Sequence, residues 1–155
     1  MKQNNNYVSF VIITPSFNQG QFIKQTIKSV LSQSVNSKYW VIDGLSSDST
    51  IKILQSFGQK INWLSQKDHG QTDAINKGIK IIEKNIKKDK AKIIFAYLNS
   101  DDYYLPNAFS QVAQIFSTHP EVNWLVGDAM IVNEKSQEIQ PWIRGYKQLL
   151  RYVYG

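Results

Sequence analysis

Apolar residues along the chain follow two patterns, one typical of strands and one typical of helices. Short runs of β-branched and aromatic residues predict five strands, at 7–14, 39–43, 61–65, 92–98 and 122–127. The first and fourth runs, YVSFVIIT and KIIFAYL, have the composition of strands that are buried on both faces of a sheet.

Between the strand runs, apolar residues recur at the spacing of one helix face. The clearest stripe lies in TDAINKGIKIIEKNI, at Ala74, Ile75, Ile79, Ile82 and Ile86. Shorter stripes at 22–31 and 51–57 predict two more helices. Proline is favoured at the first helical position, so a fourth helix is predicted from Pro106 up to His119 and Pro120.

Strands that alternate with helices predict an α/β fold, with a mostly parallel twisted sheet and helices on both faces. The 155 residues fit a single domain, 1–155. Its last stretch, PWIRGYKQLLRYVYG, resembles a helix that is still in progress at Gly155. We therefore expect a domain that is truncated before a further segment.

Composition narrows the class of protein. A hydrophobic content of 42% with 12% aromatic residues is typical of a globular chain. The chain has no cysteine, which excludes disulfides and thiolate metal sites. No apolar run reaches the roughly 20 residues of a membrane span, and the polar N-terminus lacks the core of a signal peptide. We expect a cytoplasmic protein.

The formal net charge of +6 is compatible with nucleic acid, an anionic membrane or a phosphorylated ligand. The densest basic cluster, 83–92, is typical of a solvated helix end and loop. No basic run is interleaved with aromatic residues as a single-strand groove requires, so no nucleic-acid partner is expected. The tail at 141–155 is both basic and aromatic, which suggests either peripheral membrane association or a core segment without its partner. The residues concerned are Trp142, Arg144, Tyr146, Lys147, Arg151 and Tyr152.

Polar side chains follow each of the first four strands. Open parallel sheets bind ligands outside the carboxyl ends of their strands, so these side chains predict one shared site. Together with Pro15, which lies among them, the candidate site residues in chain order are Thr14, Pro15, Ser16 and Asn18; Asp43; Asp68, Asp73 and Asn76; and Asn99, Ser100, Asp101 and Asp102.

The adjacent carboxylates Asp101 and Asp102 repel each other, and a divalent metal that carries a diphosphate would offset this repulsion. Because the candidate ligands are oxygens, Mn²⁺ or Mg²⁺ is favoured over zinc. The alternative is a turn that caps the helix predicted from Pro106.

Other polar residues have structural alternatives too. Serine and aspartate at 47–49 are typical of a helix N-cap. Asp73 could cap its helix or contact a ligand, whereas Asp43 could accept hydrogen bonds from a base or a ribose. His69 could face the site. The chain has neither a G-x-G-x-x-G motif after the first strand nor a P-loop.

Four segments together resemble the nucleotide-sugar half of family 2 glycosyltransferases, which have the GT-A fold. They are FVIITPSFNQGQFIKQTIKSVLSQS, YWVIDGLSSDST, DHGQTDAINKGI and LNSDD. The resemblance covers about residues 8–130 and implies transfer of a sugar, with inversion, from a nucleotide diphosphate. Saccharide or lipid-linked saccharide acceptors in surface polysaccharide synthesis are implied as well.

The resemblance also implies roles for residues. The turn at 14–16 would line the nucleobase, Asp43 would contact the base, and the segment 68–76 would close over the nucleoside. NSDD, at 99–102, would replace the family's D-x-D element, with Asp101 and Asp102 near the metal and diphosphate. The family often has an aspartate in place of Asn99 and an acid in place of Gly44, so this chain resembles a subgroup.

The family's catalytic base comes from beyond the D-x-D region. After it, this chain offers only Glu121, Asp128, Glu134 and Glu138, none of them in the family's pattern. We therefore expect the base outside this chain. The competing interpretation is a nucleotide-sugar-binding module without catalysis.

Overall fold

The computed structural model describes residues 8–86 and 92–141. The chain forms two compact units that meet in sequence at Pro120 and Glu121. The first unit contains, in order, β1 (Val8–Ser16), α1 (Ile23–Leu31), β2 (Ser37–Asp43), α2 (Thr50–Ser56), β3 (Asn62–Ser65), α3 (Gln71–Ile86), β4 (Lys92–Tyr97) and α4 (Ala108–Thr118).

The four strands of the first unit form one sheet in the order β3-β2-β1-β4, and all three strand pairs are parallel. The first strand is therefore central. At its carboxyl end Ser16 lies opposite Asp43 of β2, and at its start Val8 lies opposite Lys92 of β4. This confirms the predicted α/β class with a parallel sheet.

Helices cover both faces of the sheet. Successive side chains of β1 point to opposite faces, so each face has apolar residues on which a helix packs. Val11 and Ile13 belong to a buried cluster with Ala74 of α3. On the opposite face Phe10 stacks on Phe109 of α4, with ring centroids 4.6 Å apart. The apolar residues of the strands and the apolar stripes of the helices thus pack together in two layers, one on each face of the sheet.

The helix α3 packs very closely on β1. A Cβ atom added to Gly78 would lie 2.7 Å from Cδ1 of Ile13, which is fully buried. Real Cβ atoms do not approach other heavy atoms this closely, so the absence of a side chain at Gly78 permits the observed helix position.

The prediction of a fifth strand at 122–127 is wrong. These residues are irregular, and Trp124 is 83% exposed. Within the described part of the second unit, strand structure is confined to the antiparallel pair β5 (Ile131–Val132) and β6 (Glu138–Ile139). A β-rich run becomes a strand only where a neighbouring strand accepts its hydrogen bonds.

Two element boundaries differ from the prediction. The strand β1 continues through Pro15 and Ser16, because both stay in register with β2. The helix α4 begins at Ala108 instead of Pro106, because Asn107 adopts a left-handed conformation with φ of 66°. The predicted helix end is confirmed, since His119 is the C-cap.

Some predictions fall outside the described residues. They concern residues 87–91 of the basic cluster and the tail at 142–155. Within the described ranges, every helix is too short or too polar to cross a membrane.

Candidate functional site

Asp43, the last residue of β2, is fully buried, and three donors hold its carboxylate. The Ser46 N–H lies 2.9 Å from Oδ2, and the Ser46 hydroxyl donates to Oδ1. The hydroxyl of Ser65 also donates to Oδ2, at 2.7 Å. Sequence analysis did not include Ser65, although it ends β3 and the strand-end rule could have found it.

The end of β1 presents two buried hydroxyls. The Thr14 Oγ1 accepts a hydrogen bond from the Tyr39 hydroxyl at 3.0 Å, and burial raises the pKa of Tyr39 far above its usual value. The Ser16 Oγ is buried without a hydrogen-bond partner among the described residues. The Thr14 hydroxyl is therefore used inside the core, whereas that of Ser16 is unsatisfied.

Asn18 joins the loop after β1 to the loop after β2. Its N–H donates to Ser46 Oγ at 2.8 Å, and its Oδ1 accepts the N–H of Ser47 at 2.9 Å. These bonds form with Asn18 in the left-handed region, at φ of 52°, which asparagine tolerates better than most residues.

Asp48 joins the same two loops a second time. Its Oδ2 accepts the Gly20 N–H at 2.8 Å, and its Oδ1 accepts the Thr50 N–H at 2.9 Å. Hydrogen bonding, chiefly to Thr50, lowers the pKa of this exposed carboxyl. The N-cap of α2 is Ser49, but its side chain makes no capping bond, so Asp48 performs the capping predicted for 47–49.

Asp73 makes structural contacts in the first turn of α3. Its Oδ2 accepts the His69 N–H at 3.0 Å and pairs with Lys77 Nζ at 3.0 Å. Hydrogen bonding, chiefly to Lys77, lowers the pKa of Asp73. The side chain of His69 is exposed. Asn76 is also exposed, and its side chain has no hydrogen bond to a described residue.

Asp68 lies against the turn that follows β2. A Cβ atom added to Gly44 would lie 2.7 Å from Asp68 Oδ2, so a side chain at position 44 would require the Asp68 carboxylate to move. The other oxygen, Oδ1, accepts the Gly70 N–H at 2.9 Å.

The acid turn, residues 99–102, follows β4. The Ser100 carbonyl accepts a buried hydrogen bond from Thr26 Oγ1 at 2.8 Å, which ties the turn to α1. Gln71 Nε2 donates to Asn99 Oδ1 at 2.6 Å, which ties it to α3. Sequence analysis did not name Gln71 as a site residue, although Gln71 lies in the segment 68–76 that the resemblance places over the nucleoside.

The two carboxylates of the acid turn have different environments. The Asp102 Oδ2 accepts a hydrogen bond from Asn99 Nδ2 at 3.0 Å. The carboxylate of Asp101 is exposed and accepts no hydrogen bond from a described residue. Asp101 and the second oxygen of Asp102 are therefore free to act as ligands.

These oxygens fit Mg²⁺ or Mn²⁺, which take oxygen ligands and retain water or substrate phosphate in the other positions. No group of three or more His, Cys, Asp or Glu residues in the described ranges could hold a metal by itself. A metal at the acid turn would thus take its remaining ligands from water or from a bound phosphate.

The residues considered for a catalytic base lie in the second unit. They are Glu121, Asp128, Glu134 and Glu138. The carboxylate of Asp128 accepts the N–H of the following residue, Ala129, at 2.9 Å. This contact is local and indicates no catalytic role.

Comparison with known sequences gives a consistent result. Residues 11–153 match the family described as "Glycosyl transferase family 2". An uncharacterized glycosyltransferase of Rickettsia typhi is 32% identical over 118 residues, which cover 76% of this chain and 35% of that protein. The minor teichoic acid biosynthesis protein GgaA of Bacillus subtilis is 30% identical over 134 residues, 81% of this chain and 29% of that protein. The chain thus spans about a third of the length of these relatives.

Solved structures share the fold at low identity. TarS 1–349 of S. aureus in complex with UDP-GlcNAc has a TM-score of 0.57 and 21% identity, covering 72% of this chain and 32% of that one. The complex with UDP has a TM-score of 0.55 and 20% identity, with coverage of 72% and 33%. Because the family match extends over residues 11–153, the chain belongs to glycosyl transferase family 2.

Proposed function

We propose that this chain is the donor-binding part of an enzyme that transfers a sugar from a nucleotide diphosphate, a UDP-sugar, to an acceptor hydroxyl. The observation that carries the proposal is the linkage of four strand-end turns at one edge of the sheet. The links are Asn18 with Ser46, Asp43 with Ser65, and Gln71 with Asn99. The named UDP and UDP-GlcNAc complexes of TarS, which shares the fold, support a uridine nucleotide.

The nucleoside would lie near Asp43, Asp68 and the loop that contains Asn18. The donors that hold Asp43 keep its charge at a fixed place beside this loop. The unsatisfied hydroxyl of Ser16, directly opposite Asp43 in the sheet, adds a polar group that a ligand or a water could satisfy. Thr14, Pro15, Asp73 and Asn76 complete the proposed surroundings.

The diphosphate would lie at the acid turn, with Mn²⁺ or Mg²⁺ held by Asp101 and Asp102. A bound divalent ion would offset the charge that develops on the departing diphosphate. In this arrangement Asn99 fixes the position of Asp102, and the buried bond to the Ser100 carbonyl fixes the turn. Asp101 is then the carboxylate with both oxygens available.

Transfer would proceed with inversion, by attack of the acceptor hydroxyl on the face opposite the diphosphate. Such an attack needs a base to take the hydroxyl proton. We assign this base to no residue of the chain. The likeness to a teichoic acid biosynthesis protein supports a role in surface-polymer synthesis. The proposed acceptor is a saccharide or lipid-linked saccharide at the cytoplasmic face of the membrane.

Thermal unfolding with UDP, GDP and ADP, each with and without Mn²⁺, tests this function. Ligand at 100 times its dissociation constant stabilises a folded protein by about 2.7 kcal/mol, which shifts the Tm measurably. We expect a shift with UDP that requires Mn²⁺ and is absent from Asp101→Asn/Asp102→Asn. Glu83→Gln, an exposed carboxylate on α3, is the control. No shift with any nucleotide would contradict the proposal.

A further inference from the structure

Gln71 is the first residue of α3, and its side chain contacts the acid turn that follows β4. Its Nε2 lies 2.6 Å from Asn99 Oδ1. This hydrogen bond connects the loop that contains Asp68 with the turn that contains Asp101 and Asp102. Gln71 itself carries no charge and cannot serve as a strong metal ligand.

The bond from Gln71 also defines the orientation of the Asn99 amide. Since the Asn99 oxygen accepts from Gln71, its NH₂ group remains to donate to Asp102 Oδ2, at 3.0 Å. The Asp102 N–H donates back to the Asn99 carbonyl at 3.1 Å. A chain of three side chains thus fixes Asp102 and leaves Asp101 without a hydrogen bond to any described residue.

We propose that Gln71 is a positioning residue for the metal-diphosphate part of the site, acting through Asn99 on Asp102. This role rests on the proposed function. Without the Gln71 donor, only the contact with Asp102 holds the Asn99 side chain, so the amide can move away from its observed position. Asp102 then loses a fixed donor and leaves the geometry that a metal-bound diphosphate requires.

The contribution of Gln71 to folding stability is small, because the Gln71–Asn99 and Asn99–Asp102 hydrogen bonds are both exposed to water. Its loss should therefore appear in ligand binding and leave the ligand-free Tm almost unchanged. This difference separates a positioning role from a general contribution to the fold.

Calorimetric titration of UDP in the presence of MnCl₂ tests the role with five variants. Gln71→Ala should weaken binding by roughly 3- to 10-fold, the effect of one hydrogen bond. Gln71→Glu should weaken it at least as much, because its carboxylate would repel the Asn99 oxygen and attract the Asn99 NH₂ group away from Asp102. Gln71→Ala/Asn99→Ala should bind no more weakly than Asn99→Ala, because both residues act through one chain. Gln55→Ala, an exposed glutamine on α2, should bind as wild type does.

A second readout needs no nucleotide. In the ¹⁵N NMR spectrum of the ligand-free protein, the Asn99 NH₂ signals should shift in Gln71→Ala and stay in place in Gln55→Ala. Unchanged signals, wild-type UDP affinity of Gln71→Ala, or additive effects in the double variant would each overturn the positioning role. Failure of the wild-type protein to bind UDP with Mn²⁺ would overturn the proposed function instead, and the NMR result would then decide whether Gln71 orients Asn99.

Discussion

A single carboxylate, that of Asp48, holds two loops of the site together. It accepts backbone N–H groups from Gly20 in one loop and from Thr50 at the start of α2. Two backbone donors that would otherwise face only water thus share one acceptor, and the loop after β1 becomes fixed to the loop after β2. Asp48 therefore supports the site without any need to contact a ligand.

Replacing Asp48 should cost stability in a pH-dependent way. Asp48→Ala should lower the free energy of unfolding by about 1 kcal/mol at pH 7, and Asp48→Asn by less, since an amide oxygen still accepts one bond. The pKa of Asp48 is lowered in the folded chain, so the unfolded chain binds the proton first as the pH falls. The ionised Asp48 carboxylate therefore makes its full contribution to the free energy of unfolding above the ordinary carboxyl pKa. This contribution disappears as the pH falls through the lower pKa that Asp48 has in the folded chain.

Urea unfolding at pH 7 and at pH 3 measures this effect, which solvent screening keeps small. The difference between wild type and Asp48→Asn should narrow at pH 3. Ser49→Ala is the matched control, because the Ser49 side chain makes no capping bond. An equal loss of stability in Ser49→Ala and Asp48→Ala would refute the assignment.

At the scale of single residues, the strand-end rule located Asp43, Asp68 and the acid turn because it depends only on where strands stop. It could not tell which oxygens are already occupied. That depends on donors distant in sequence, such as Ser65 for Asp43 and Gln71 for Asn99. For Asp73, the structural role depends on contacts with His69 and Lys77, which the sequence pattern did not reveal, and a ligand contact stays a prediction.

At the scale of elements, the distance between α3 and β1 depends on one missing side chain. Gly78→Ala should destabilise the fold by about 1–2 kcal/mol, because the new methyl group overpacks Ile13 by more than the gain in helix propensity offsets. The cost should be visible in thermal and urea unfolding.

The double variant Ile13→Val/Gly78→Ala provides the check. Valine lacks Cδ1, the atom nearest to the added methyl group, so the two substitutions should compensate each other in part. Their combined cost should fall below the sum of the single costs. Simple additivity would show that the contact does not limit the approach of α3.

Helices of the first unit were predictable because their apolar stripes are local. The start of α4 was not, because the left-handed Asn107 is one choice among several that an asparagine tolerates. The run at 122–127 has strand composition, yet strand formation depends on a partner, which local sequence does not reveal. Each miss thus concerns a property that neighbours in space decide.

At the scale of the whole molecule, the net charge of +6 conflicts with the acids at the sheet edge. The overall charge alone would suit nucleic acid, but uncompensated carboxylates repel phosphates. We expect EDTA to abolish UDP binding, whereas raising the salt from 50 to 200 mM should change it only a few-fold. A nucleic-acid interface with 6–10 phosphate contacts would lose about 10³–10⁵ in affinity over this range.

Parallel titrations with UDP and with single-stranded DNA distinguish these outcomes. Tight, steeply salt-dependent binding of DNA that survives EDTA would favour a nucleic-acid-binding domain. The fold itself was predictable at this scale, because alternating elements permit few topologies for a parallel sheet.

The central position of β1 has a consequence for biosynthesis. One edge of this strand pairs with β2, which is the next strand in the sequence. The other edge pairs with β4, which is much later in the sequence, and this pairing begins with Val8 opposite Lys92. At roughly 5–20 residues per second, a ribosome needs several seconds to make the intervening segment. During that time a strand with the apolar run 10–13 at its centre has an unpaired edge, so the nascent chain is most vulnerable to aggregation between the synthesis of β1 and that of β4.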